Sequence, residues 1–244
     1  MSKKHIEIKD LTKKVKNQII IEKLNLEINR GEKIAILGAN GSGKTTLVEL
    51  ISGITNPLLG HIKIHTNVPK IKQIGLQFQE GYWPKGLTPK AIINYYINKK
   101  EHDNAELNEL LSVFGIKTFI NKELNNLSGG QRQRFNAMLS VINTPEIIIL
   151  DELITSLDLN MQIQLIQFFQ NYLNHHQATL LMVSHIPEEV EKLCERVIVL
   201  ENGHIIYDLP LTKILATYGT VRKFMEDYYT KLKEKENLQD EFKN

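Results

Sequence analysis

"KIAILGANGSGKTTLVELISG", residues 33–53, decides the fold. Its first six residues are a short, nearly unbroken apolar run ending in glycine, the pattern of a strand buried on both faces of a parallel sheet. Its last ten, "KTTLVELISG", carry helical spacing and stop at Gly53, a residue suited to a helix end. Between them "GANGSGKT", Gly38–Thr45, satisfies G-x-x-x-x-G-K-[ST] at every fixed position, in the strand–loop–helix setting that a phosphate-binding loop requires. Residue usage alone produces that match on the order of once in a hundred chains of this length.

Each residue type has its own reason to be there. Glycines let backbone N–H groups converge on phosphate oxygens, and the helix start adds a favourable dipole. Lys44 neutralises the β- and γ-phosphates, and Thr45 can ligate Mg²⁺. The candidate cradle is therefore Gly38, Ala39, Asn40, Gly41, Ser42, Gly43, Lys44, Thr45 and Thr46.

Working outward, "HIEIKD" and "LNLEIN" alternate like half-buried antiparallel strands at the amino end. From about 85 to 142 the strand signal fades into three helical stretches, "PKAIINYYI", "NAELNELLSVFG" and "SGGQRQRFNAMLSVI". Strands return at "EIIILDE", "ATLLMVSH", "RVIVLENG" and "HIIYDL", with helices near 160–174 and 187–195 between them. That alternation implies a parallel sheet with crossover helices. The expected fold is an α/β phosphate-loop NTPase core with a mostly parallel central sheet, an N-terminal antiparallel β subdomain and an inserted helical lobe. Residues 1–210 form the core, with the lobe at about 85–142, and 211–244 a helical tail. In that tail Val221, Phe224, Met225, Tyr228, Tyr229 and Leu232 recur at helical spacing before a charged stretch expected to fray.

Bulk properties exclude several classes. A chain of 244 residues with 42% hydrophobic residues can bury a real core. Its 30 basic and 28 acidic residues are interspersed, giving a net charge of +2 and no argument for a nucleic-acid partner. Cys194 is the only cysteine, and "MSKKHIEIKD" lacks a signal peptide's apolar stretch, which favours a reducing, cytosolic setting. No apolar run approaches the roughly 18–20 residues a spanning helix needs, so a membrane role must come through a partner.

A nucleoside triphosphatase also needs a metal-holding carboxylate and a group that orients water. "IIILDE" ends an apolar strand with Asp151 and Glu152 at the sheet's carboxyl edge, where Asp151 can hold Mg²⁺ and Glu152 can act as general base. Acids that end a strand are also common as solvated turn residues. His185 closes "TLLMVSH" at the same edge, as a turn residue or as a group aimed at the γ-phosphate.

Taken together, "GANGSGKTT", "LSGGQRQR", "IIILDE" and "VSH" resemble, in order and spacing, the motifs of ATP-binding cassette (ABC) ATPases over about residues 5–210. The resemblance implies further roles. Gln79, in "LQFQE", matches the glutamine that reaches Mg²⁺ and the attacking water. Ser128, Gly129, Gly130 and Gln131 match the signature, Asp158 an aspartate that communicates across a dimer, and His185 the γ-phosphate sensor. Two cassettes, identical or different, then face each other head to tail, with the signature of one closing over ATP held by the other. "LSGGQ" has a local rationale for this, because it precedes a helix whose N-terminus makes an anion site.

The resemblance implies an ATP-hydrolysing subunit, peripheral on the inner face of the cell membrane through a membrane-spanning partner. The alternative is a soluble cassette acting on a protein or a cofactor-assembly scaffold. "EGYWPKGLTPKA" would lie where the family docks its membrane partner, with Tyr82 and Trp83 as exposed anchors or packed into the lobe. The roughly 35 residues after 210 are too few for the regulatory domain many importers append, which favours an exporter-like assembly. Two departures stand out: no aromatic residue precedes Phe78, so the adenine-stacking position falls on Val15, and Leu153 and Ser156 replace the usual proline and glycine after Glu152.

Overall fold

A computed structural model of the chain describes residues 3–77, 83–97 and 104–241. Among the described residues nine strands form two sheets: β1 (Lys4–Val15), β2 (Gln18–Asn29), β3 (Lys33–Leu37), β4 (Leu59–Ile64), β5 (Ile74–Gln77), β6 (Ile147–Asp151), β7 (Thr179–Val183), β8 (Arg196–Glu201) and β9 (His204–Pro210). The helices are α1 (Lys44–Ile51), α2 (Pro89–Tyr96), α3 (Asn104–Val113), α4 (Gly129–Leu139), α5 (Leu159–His176), α6 (Pro187–Leu193), α7 (Leu211–Tyr218) and α8 (Val221–Glu241). The large sheet runs β5-β6-β7-β3-β8-β9, and the small one β2-β1-β4 is antiparallel.

The central strands read as continuous apolar runs because both faces are covered, yet period two still sorts their side chains. On β3, Ile34 and Ile36 enter the core shared with α1 and the small sheet, while Ala35 and Leu37 enter the core shared with the helices opposite. The same division separates Ile147 and Ile149 from Ile148 and Leu150 on β6, and Leu181 and Val183 from Leu180 and Met182 on β7. All of these are at most 2% exposed, so a one-residue slip would exchange the two cores. Between β5 and β6 the regular elements among the described residues are all helical.

The central sheet is mostly parallel, as expected; within it β9 alone departs, returning antiparallel to β8. The cause is the two-residue turn Asn202–Gly203, with φ of 49° and 78°, which suits a tight hairpin and not a crossover. Two strands, β4 and β5, carried too little signal: β4 is mostly exposed and contains Gly60, and β5 is four residues long. In the tail, α8 does not stop at the charged stretch but runs to Glu241. Its stripe is core, with Val221, Phe224, Met225 and Tyr228 buried.

Polar staples fasten the small sheet to the large one. His5 Nδ1 lies 2.7 Å from Thr179 Oγ1 and its Nε2 3.3 Å from Glu146, which also takes a bond of 3.1 Å from Arg30. Arg196 grips Asp208 with two bonds of 2.7 Å, and its Nη1 donates to Glu32 and to the Glu27 carbonyl, joining β8, β9 and β2.

Candidate active site

Three neighbouring parallel strands deliver the site. β6 pairs with β7 so that Asp151 lies opposite Val183, and β7 pairs with β3 so that Val183 lies opposite Ile36. The ends of β3, β6 and β7 therefore reach the carboxyl edge side by side, the usual place for ligands in an open α/β sheet. A cavity of about 300 Å³ opens there, lined by the loop residues Asn40, Gly41, Gly43, Lys44, Thr45 and Thr46, by Asp151 and Glu152, and by Val183, His185 and Ile20. The sequence-predicted loop, acids and histidine thus meet in one place.

The loop is tightly seated. Gly38 has φ of 140°, and a β-carbon there would lie 2.2 Å from the Leu200 carbonyl oxygen and 2.8 Å from Ser42 Oγ. Ser42 is buried, its N–H bonded to the Ala39 carbonyl. Lys44 is 7% exposed and donates to the Gly38 oxygen at 2.7 Å and the Ala39 oxygen at 2.9 Å. Burial pulls its pKa down, while Asp151 and Glu152 act in the opposite sense.

Asp151, 7% exposed, is pushed up to about 6 by burial and then by Glu152, with Lys44 opposing. Two carboxylates against one ammonium leave a site that favours an added cation. Among the described residues there is no cluster of three or more His, Cys, Asp or Glu side chains suited to a metal. Thr45 and Asp151, both lining the cavity, instead bring a hydroxyl and a carboxylate as hard oxygen donors, a sparse set that fits Mg²⁺ shared with substrate phosphates.

Glu152 adopts φ of 54°, a costly conformation for a residue with a side chain, at the point where the chain leaves β6. It is held there from both sides: its N–H donates to the Val183 carbonyl at 2.9 Å, and its own carbonyl accepts from Gln133 Nε2. Its Oε2 accepts from Thr155 Oγ1 at 3.3 Å. His185 lies at the cavity rim, its pKa lowered by burial and then by Lys44. Gln79 and Tyr82 lie outside the described residues.

The signature occupies a different place. Ser128 caps α4, its Oγ accepting from the Gln131 N–H at 3.3 Å while Gln131 Oε1 accepts from the Ser128 N–H at 3.1 Å. Ser128 and Gly129 are exposed, and none of Ser128, Gly129, Gly130 and Gln131 lines the cavity described above. Asp158 caps α5, accepting from Met161 N–H at 3.0 Å, and it too stands outside that cavity. Trp83 is not an exposed anchor: it packs against the core under the lobe, and its carbonyl accepts from Asn125.

Three contributors went unread in the sequence. Ile20, from the first hairpin, adds an aliphatic side chain to this cavity, whereas Val15 does not line it and is 45% exposed near its turn. Gln133 links the signature helix to the loop after Glu152, since its Oε1 also accepts from the Ser156 N–H at 3.0 Å. Tyr229 reaches from α8 to donate to the Gly38 oxygen at 3.4 Å. Ile20 and Tyr229 become neighbours of the loop only through tertiary packing; Gln133 had a local hint in the amide run after the glycines.

A phosphate loop with its lysine, paired acids on the adjoining strand and a histidine on the next define a nucleoside triphosphatase. The family described as ABC transporter matches residues 21–155, more than half of the chain, and the chain belongs to that family. It is 30% identical over 233 residues to the spermidine/putrescine import ATP-binding protein PotA of Bacillus cereus, covering 88% of this chain and 71% of that one. It is 32% identical over 200 residues to the ABC transporter ATP-binding protein NatA of Bacillus subtilis, covering 77% and 80%. A dimeric bacterial ABC transporter cassette superposes with a TM-score of 0.73 at 25% identity, over 84% of this chain and 98% of that one. A further solved structure, an ATP-binding subunit of an ABC transporter, gives 0.76 at 22% identity over 91% and 98%, which bears on the fold alone. The chain is an ABC transporter ATP-binding subunit and an ATPase. No helix among the described residues is long and apolar enough to cross a membrane.

Proposed function

We propose that two such cassettes close head to tail on ATP, hydrolyse it, and thereby move a membrane-spanning partner on whose inner, cytoplasmic face they sit. The observation that carries this reading is the separation of the two anion sites. The loop, Lys44, Asp151, Glu152 and His185 share one cavity, while the capped N-terminus of α4 is exposed at Ser128 and Gly129 and does not line that cavity. An exposed helix start whose first N–H groups lack intrahelical partners is a weak phosphate site alone. As the lid on a ligand held by another chain, it makes ATP the adhesive between subunits.

Within each site, the loop backbone and Lys44 hold the β- and γ-phosphates. Thr45 and Asp151, with Gln79, would hold Mg²⁺, which supplies neutralisation of phosphate charge when bound. Glu152 accepts the proton of the attacking water, His185 and Gln79 fix that water and the γ-phosphate, and Asp158 relays closure to the facing subunit. Ser128, Gly129, Gly130 and Gln131 donate to the γ-phosphate across the interface.

The test pairs two variants. Ser128→Arg should leave ATP binding to the isolated chain within about twofold while abolishing ATP-dependent dimerisation and turnover; loss of monomer binding would place the signature wrongly. Glu152→Gln should bind ATP, accumulate dimers and lose hydrolysis, and turnover at the parent rate would remove Glu152 as the base. Direction belongs to the membrane partner. The exporter-like assembly expected from tail length has no support in the site itself, and a relative named for import stands against it. Transport measured in vesicles carrying the co-purified membrane chain separates the two.

A further inference from the structure

Glu189 is a carboxylate with 0% exposure, on α6, four residues after His185. Val190 and Leu193 on the same helix are buried with it. A carboxyl group in such surroundings is costly unless its oxygens are satisfied. Here both are, and by two different loops. Oε1 accepts from the Ile154 N–H at 2.9 Å, two residues beyond Glu152. Oε2 accepts from Ser184 Oγ, immediately before His185, and the same hydroxyl takes the Ile186 N–H at 2.9 Å, immediately after it. One buried group thus ties the loop that follows β6 to the loop that follows β7.

These two loops have few other ways to hold register. β6 and β7 stop pairing at Asp151 and Val183, and beyond them the Glu152 N–H still reaches the Val183 carbonyl. Past that point the described link between Ile154 and the turn around His185 runs through Glu189. The residue after Glu152 is Leu153, fully buried, so the side chain at 153 is packed while the backbone at 154 is what Glu189 holds. A carboxyl group pushed up to about 7 by burial can also present a proton to Ser184, so the link persists in either protonation state.

We infer that Glu189 is a positioning residue for hydrolysis: it sets the placement of Glu152 relative to His185 without touching nucleotide. This rests on the reading of Glu152 as base and His185 as γ-phosphate sensor. Mutual placement of reacting groups matters steeply, a misplacement of about 1 Å being enough for about a hundredfold in rate.

The experiment uses the full chain and three variants, with ATP titration and steady-state kinetics on each. Glu189→Leu removes both hydrogen bonds at similar volume; kcat should fall about 10- to 100-fold while the dissociation constant for ATP stays within about threefold, since Lys44 and Thr45 are untouched. Glu189→Gln can still accept from Ile154 and can donate to Ser184, so kcat should recover to within about threefold of the parent. Ser184→Ala cuts only the arm to the histidine loop, should give an intermediate kcat, and carries the test if Glu189→Leu does not fold. Parent kcat per ATP-binding site in Glu189→Leu or Ser184→Ala, or a parallel loss of ATP affinity and kcat, would overturn the inference. Glu152→Gln run alongside keeps the two readings apart: if it retains turnover, the base assignment fails; if it is dead while Glu189→Leu is fully active, only the positioning role fails.

Discussion

Replacing Gly38 by alanine should destabilise the chain far more than the same change three residues later, at Gly41. Both glycines have positive φ, 140° and 79°, so each substitution carries backbone strain. At Gly41 nothing lies within 4 Å of the new β-carbon, and the cost is the strain alone, about 1–2 kcal/mol. At Gly38 the β-carbon would stand 2.2 Å from the Leu200 oxygen and 2.8 Å from Ser42 Oγ. Leu200 cannot retreat easily, because it is fully buried and pairs with Ile205 in the β8–β9 hairpin. Strain of about 1–3 kcal/mol and overpacking of about 1–3 kcal/mol then combine to about 4 kcal/mol as a central value. For a chain of this size 1 kcal/mol moves the melting midpoint by about 2–4 °C, so Gly38→Ala should melt about 8–16 °C low and Gly41→Ala about 2–8 °C low. Calorimetry at one buffer and protein concentration reads both. Equal midpoints for the two variants would refute the claim that Leu200 pins the loop.

Three further outcomes are expected. Because burial raises Glu189 from an ordinary glutamate value to about 7, the folded chain binds a proton that the unfolded chain releases from about pH 4.5 upward. Its contribution is fully present below pH 4.5 and is lost as pH rises through 7, by about 3 kcal/mol at most; urea midpoints from pH 4.5 to 7.5 should fall more steeply in the parent than in Glu189→Gln, which keeps the same-signed contribution of Asp151 up to about pH 6. Since Ile20 supplies an aliphatic wall and Val15 no ring, ATP and GTP should bind within about tenfold of each other, and Val15→Tyr should tighten ATP by about two- to tenfold if that position stacks on the base. Competitive titration decides it, and ATP bound far more tightly than GTP by the parent would sink the idea. Tyr229→Phe removes one long hydrogen bond to Gly38 while keeping the ring, and should weaken ATP binding by about two- to threefold with the melting midpoint nearly unchanged.

The legible parts of this molecule were those whose signal is local. An apolar run before a glycine loop reads as a buried strand, and Gly38 to Thr45 announce their chemistry by spacing alone. Ser128 and Gln131 form a capping box that three-residue spacing already suggests. What the sequence hid depends on partners distant along the chain. β4 alternates too weakly to be noticed, and its strand character comes from pairing with β1. The insertion of β3 between β7 and β8 is a crossover decision that no single segment encodes. The antiparallel return of β9 is local by contrast, since Asn202–Gly203 is a two-residue hairpin turn legible in the sequence. Nothing local distinguishes Glu189 from the neighbouring acids of α6; only the approach of Ile154 and Ser184 makes it a buried link.

Lys44 carries a last consequence. Its ammonium already has two partners inside its own loop, the oxygens of Gly38 and Ala39. A phosphate arriving at the site therefore shares this charge with the loop carbonyls and does not find it idle: one of the three N–H donors has no partner among the described residues and can meet it, and any further bond has to be taken from a carbonyl. Affinity is then a difference, set as much by the carbonyls left behind as by the phosphate gained. One of those carbonyls has a replacement donor at hand in the Tyr229 hydroxyl. The lysine's release is thus coupled to a helix at the far end of the chain, and the tail, which holds no part of the chemistry, has a say in how readily that exchange occurs.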